Sequence, residues 1–151
     1  MGRESITRTA PGWEERTTTL LASASRSADG VGSPVSLYPG FARIAALLDV
    51  PVFGGGAGLQ VWLQHSPDGA RWLDLAAFNT VASSPHQVLW MEAQPDLAGA
   101  VEPATDGALS TGELRSGFIF PRLRVRWTVG GVSHTFGVDL VAIYERKGVT
   151  R

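Results

Sequence analysis

The chain has 151 residues, the length of one domain, and no cysteine, which excludes a disulfide framework and any thiolate zinc site. Its formal net charge of -1 supplies neither a global basic field for nucleic acid nor an acidic tail. The uninterrupted apolar runs in its strand-rich body, such as Ile44 to Leu48, are far short of the roughly 20 residues a membrane span needs.

Residues 1–15 are polar, contain Pro11 and Gly12 and show no periodicity, so they read as a flexible N-terminal arm. No apolar stretch within Met1 to Arg16 has the form of a secretory signal. Ile6 and Trp13 are the apolar exceptions in the arm. Trp13 either anchors on a neighbouring molecule or folds back on its own domain.

From residue 16 to 146 the signals are those of strands. Thr17 to Ser25 is rich in strand-favouring Thr, and Ala28 to Pro34 is a turn cluster. Val35 to Tyr38 is a short strand closed by Pro39–Gly40. Ala42, Ile44, Ala46, Leu48 and Val50 then alternate with Arg43, Ala45, Leu47 and Asp49. The Ala and Leu content would also suit a helix, but the prolines at 39 and 51 and the period of two favour a strand. After the glycine-rich loop 54–58, Leu59, Val61 and Leu63 alternate with Gln60, Trp62 and Gln64. Ser66-Pro67-Asp68-Gly69 turns the chain into a strand through Trp72, Asp74, Ala76 and Phe78. Proline pre-sets φ there, Asp68 binds its own backbone and Gly69 takes the positive φ.

Gln87 to Glu92 is another strand, and 93–117 reads as a long loop insertion rich in Pro, Gly, Ala and Asp. Leu123, Val125, Trp127 and Val129 alternate with Arg122, Arg124, Arg126 and Thr128 before Gly130–Gly131. A last strand carries Phe136, Val138, Leu140, Ala142 and Tyr144 on one face, and 147–151 is a polar, frayed tail. About eight short strands with no convincing helix predict an all-β fold, an antiparallel β-sandwich or flattened barrel with an extended N-terminal arm.

Chemistry is sparse. His65, His86 and His134 fall at no metal-ligand spacing, and the only acid near one of them is Asp68, across a turn from His65. The glycines at 54–58 lack the Lys-Ser/Thr of a phosphate loop and lie between strands. No Gly-x-Ser-x-Gly elbow occurs. Neither an enzyme nor a cofactor or metal site is therefore expected. An inward-pointing Asp49 or Asp139 would need a partner, for which the arginine stripe is a candidate. All but one of the 13 basic residues are arginine, Lys147 being the exception. A GC-rich genome or a use for planar bidentate contacts would each produce that bias.

The candidate interface residues follow from period two. Arg122, Arg124 and Arg126 share one sheet face, either a solvated surface or a contact surface for acidic side chains on a partner. Without alternating aromatics, that face is not expected to bind nucleic acid directly. Trp62 shares the face of Gln60 and Gln64. It is either an exposed platform or anchor, or it is covered by a loop.

Three segments resemble a group of small tailed-phage virion proteins: Thr19-Leu20-Leu21-Ala22-Ser23-Ala24 with Val35-Ser36-Leu37, Val61 through Trp72, and Leu123 through Gly131. The resemblance spans most of residues 17–144 and consists of strands and turns. The chain departs from it in the arm and in the 93–117 insertion. It implies a capsid decoration (cement) protein made in the host cytoplasm and bound to the outer surface of the virion head. The implied partners are the major capsid protein and sister copies, as a trimer. Carbohydrate or receptor binding on a tail or fibre, motivated by Trp62, Trp72 and Trp90, is the alternative, together with a head–tail connector or tail-tube role.

Overall fold

In the computed structural model, residues 4–10, 13–82, 87–93, 102–115 and 117–145 are described. They contain ten strands: β1 (Glu4–Ala10), β2 (Trp13–Arg26), β3 (Gly30–Val31), β4 (Val35–Ser36), β5 (Phe41–Val52), β6 (Gln60–Ser66), β7 (Leu73–Ala77), β8 (Gln87–Ala93), β9 (Arg122–Thr128) and β10 (His134–Glu145). The first sheet runs in the order β1-β2-β10-β5-β8. The second runs β3-β9-β6-β7, with β4 also on β9. Every pairing is antiparallel. The architecture is the all-β sandwich that the alternation predicts.

The core forms where the two apolar rows meet. Ile44, Ala46, Leu48 and Val50 of β5 and Phe136, Val138, Leu140 and Ala142 of β10 face Val61 and Leu63 of β6 and Leu123, Val125 and Trp127 of β9. β5 is a strand despite its helix-forming composition because it is hydrogen-bonded on both sides, to β10 and to β8. Burial in a sheet centre outweighs a propensity difference of a few tenths of a kcal/mol per residue.

The turn between β6 and β7 is built as its residues require. Gly69 takes φ +77°, Asp68 Oδ1 accepts the amides of Ala70 (2.9 Å) and Arg71 (2.8 Å), and Ser66 Oγ accepts that of Gly69 (2.7 Å). These amides and the Arg71 side chain hold the exposed Asp68 carboxyl well below the usual carboxylate range.

One boundary is corrected. Where composition gives a floppy arm over 1–15, Glu4–Ala10 is an edge strand paired with β2 from Glu4↔Thr18 to Ala10↔Trp13. A peripheral strand needs no core of its own, because the neighbouring strand supplies backbone partners and the Ser and Thr residues suit the extended conformation. The frayed tail expected at 147–151 lies outside the described residues, as do 94–101 within the expected long loop.

Candidate functional site

Three rows converge on the outer face of the second sheet. β9 contributes Arg122, Arg124 and Arg126, and β6 sets Ser66, Gln64 and Trp62 opposite them in register. β7 adds Asp74 opposite Gln64. Residues 105–115 then fold back over these rows and follow the β7 backbone. Asp74 N–H donates to the Thr105 carbonyl (2.7 Å), Ala77 N–H to Glu113 (2.9 Å) and Arg115 N–H to Leu75 (2.8 Å).

Asp74 is the clasp. Its Oδ1 accepts Gln64 Nε2 (2.9 Å) and the Gly107 amide (2.8 Å). Its Oδ2 accepts Thr105 Oγ1 (2.8 Å) and the amides of Ala108 (2.9 Å) and Leu109 (3.0 Å). Burial pushes its carboxyl up, but the bonds from Gln64, Gly107, Ala108 and Thr105 outweigh burial and hold it below the usual range. Gly107 is required here. Its φ is +75°, and a Cβ would collide with the Arg126 guanidinium.

Gln64, fully buried, joins the clasp to the arginines. Its Oε1 accepts Arg124 Nε (2.8 Å), and its Nε2 also reaches Asp106 Oδ1 (2.6 Å). Asp106 Oδ1 accepts Arg126 (2.7 Å) and lies 3.7 Å from an Arg124 nitrogen. Arg124 stacks 4.4 Å from the centre of the buried Trp72 ring, and burial lowers its pKa. Trp62 donates its indole N–H to the Leu109 carbonyl (2.9 Å) and is 7% exposed.

The sequence-predicted residues therefore separate. Trp62 and Arg124 are on the expected face but roofed by the loop, so Trp62 is no open platform. Arg126 is half-exposed and tied to Asp106. Arg122 remains exposed and donates to the Pro67 carbonyl (2.7 Å). Asp49 and Asp139 do not meet the stripe. Their register positions lie on the outer face of the first sheet, and the stripe's acid is Asp106. Trp13 opens β2, 37% exposed, with the Arg43 guanidinium 5.9 Å from its ring centre. Ile6 stands at the register position of Arg16 in β1, and its side chain lies outside the described set.

The imidazoles are similarly engaged. His65 Nδ1 accepts the Phe120 amide (3.1 Å) instead of meeting Asp68, and burial pushes its pKa down to about 4. His134, fully buried and stacked on Phe53, accepts the Gly54 amide at Nδ1 (3.0 Å) and has Nε2 at 3.1 Å from the Val129 carbonyl. His86 lies outside the described residues. Among the described residues, no group of three or more His, Asp or Glu gathers at metal-binding distance. A cleft of about 500 Å³ opens between β2 and residues 33–36. Arg26 lines it and bonds the carbonyls of Ala22 (2.7 Å), Ala24 (3.2 Å) and Phe136 (2.6 Å).

The outer face of the first sheet differs. Leu47 is 38% exposed, with Ala45, Val141 and Ile143 half-buried around it. Glu15, Asp49, Asp139 and Glu145 stand on the same face by register, with Arg43 as a cation. This face thus has an apolar centre ringed mainly by acids.

No family model and no curated protein matches the chain. Among solved structures, it is similar to a chain in the structure of infectious bursal disease virus, Gx strain, at 11% identity and a TM-score of 0.42. The match covers 88% of this chain and 32% of that one, so this chain spans about a third of the viral chain. It is also similar to the CBM22-1 xylan-binding domain of Paenibacillus barcinonensis Xyn10C, at 13% identity and a TM-score of 0.40, over 98% of this chain and 83% of that one.

Proposed function

We propose that this β-sandwich is a non-enzymatic structural component of a phage particle, a decoration protein that docks on the outer surface of the head through the outer face of its first sheet. The observation that carries this reading is the exposed Leu47 amid Ala45, Val141 and Ile143, ringed by Glu15, Asp49, Asp139 and Glu145. Such a face fits a protein surface with an apolar centre and a basic rim, and its acids repel nucleic acid. Many copies on a lattice turn modest single contacts into a brace against internal pressure.

The carbohydrate-binding alternative loses two of the residues that motivate it, since Trp62 and Trp72 are both buried. Mass spectrometry of purified particles tests the main reading, with the chain expected at high copy number beside the major capsid protein. Leu47→Glu would put a fifth acid at the centre of the face. It is expected to abolish binding to undecorated heads while leaving the thermal midpoint within a few degrees. Absence from particles, or full occupancy by the Leu47→Glu variant, would refute the reading.

A further inference from the structure

Residues 105–109, Thr-Asp-Gly-Ala-Leu, lie on the outer face of the second sheet in the manner of a bound peptide. Their main chain is gripped through both donors and acceptors. The Asp74 carboxylate accepts the amides of Gly107, Ala108 and Leu109. The Asp74 N–H donates to the Thr105 carbonyl, and the Trp62 indole N–H donates to the Leu109 carbonyl. Their side chains are gripped as well. The Thr105 hydroxyl donates to Asp74, and the Asp106 carboxylate meets Gln64, Arg124 and Arg126. Leu109 packs on Trp62 and Ala77.

Two observations separate this segment from the fold that carries it. Leu109 is the one buried residue of the five, and its cluster with Trp62 and Ala77 is distinct from the main core. Lifting the segment therefore leaves the two core layers closed. The rest of the hold rests largely on partly desolvated charges, Asp74 at 3% exposure and the Arg124 side chain at 14%. Such charges return little net stability, because lost hydration offsets most of their attraction. A segment fastened in this way opens at a lower free energy than the sandwich itself.

We infer that this face is a peptide-binding site, filled in cis by residues 105–109, whose ligand is an extended segment of a partner protein with the pattern Asp-Gly-x-apolar. The ligand's acid takes the place of Asp106 beside Arg124 and Arg126. Its glycine adopts the positive φ of Gly107, where a Cβ would collide with Arg126. Its apolar side chain enters beside Trp62 and Ala77. A second copy of this chain is not the occupant, because exchanging identical segments trades identical contacts and gains nothing. A partner segment that adds contacts beyond those of 105–109 displaces them by its higher affinity. The site lies on the sheet opposite the proposed head-docking face and does not rest on the decoration reading.

Gly107→Ala opens the site without touching it, since the added methyl group collides within the cis segment while Trp62, Gln64, Asp74, Arg124 and Arg126 are unaltered. The probe is a synthetic peptide of residues 103–110, Pro-Ala-Thr-Asp-Gly-Ala-Leu-Ser, titrated by calorimetry into the full chain. It is expected to bind the Gly107→Ala chain about tenfold tighter than the wild type, whose site is filled. The same peptide with Ala in place of its Asp should bind that variant about tenfold more weakly. In the wild type, the amides of Gly107, Ala108 and Leu109 should exchange hydrogen about a hundredfold faster than the core amides of β5 and β10. Exchange at the core rate, a Gly107→Ala chain that fails to fold, no binding of the peptide to it, or equal binding of the two peptides would each overturn the proposal.

Discussion

The sandwich has two outer faces with the same alternating pattern and opposite fates. On the second sheet, Trp62, Gln64, Asp74 and Arg124 leave the core only to be roofed by residues 105–115, and each is spent on an internal bond. On the first sheet, the corresponding outward rows end in Leu47, Val141 and Ile143 with no comparable roof among the described residues. Period two states which side chains turn away from the core, but not whether water or a distant segment meets them there.

Substitutions on the two faces should separate accordingly. Trp62→Ala on the roofed face empties a packed site and is expected to cost about 3–5 kcal/mol in chemical denaturation. A cost under about 1 kcal/mol would mean that the roof is not formed in solution. Acid should loosen the second sheet through His65, which faces inward opposite Leu123. Burial holds its folded pKa at about 4, below the ordinary imidazole value of 6.5, so the unfolded chain takes up the proton first. The contribution is complete above about pH 6.5 and falls by about 3 kcal/mol on the way down to pH 4. Asp74, also held below its usual range, shifts in the same sense, and its contribution is lost at lower pH, as the pH falls through the carboxylate range. A His65→Gln variant should flatten the stability profile between pH 6.5 and 4, and an unchanged slope would assign that acid sensitivity to other groups.

Asp74→Ala removes the acceptor for three loop amides, Thr105 and Gln64. It is expected to cost about 2 kcal/mol, because the freed amides regain water. Hydrogen exchange should rise at Gly107 to Leu109 and stay unchanged in β5 and β10. The smallest change is on the open face, where Leu47→Ala should stay within about 0.5 kcal/mol.

The apolar rows of β5, β9 and β10 were legible because burial against one opposing layer imposes a strict period. The Ser66–Gly69 turn was legible because its chemistry is local. β1 was not, since its order comes from β2 and not from any apolar face of its own. The clasp was hidden for a related reason. Asp74 and Gly107 meet at a separation of 33 residues, and composition marked the loop without showing where it folds back. An acid on an outward row beside a Trp and a Gln, with Asp106-Gly107 in the following loop, was the available trace. The shared face of the arginines was legible by pattern, but not that Arg124 lies under a loop while Arg122 stays exposed, because alternation cannot report a roof.

The hydrogen bonds at His134 fix which ring nitrogen carries hydrogen. A main-chain amide can only donate, so Nδ1, facing Gly54, is bare, and the hydrogen sits on Nε2 and points at the Val129 oxygen. The ring thus works as a rivet through two connections remote in sequence, the glycine-rich segment after β5 and the Gly130–Gly131 hairpin. Opening either connection would therefore break a bond to this one buried ring, which couples the two ends of the link.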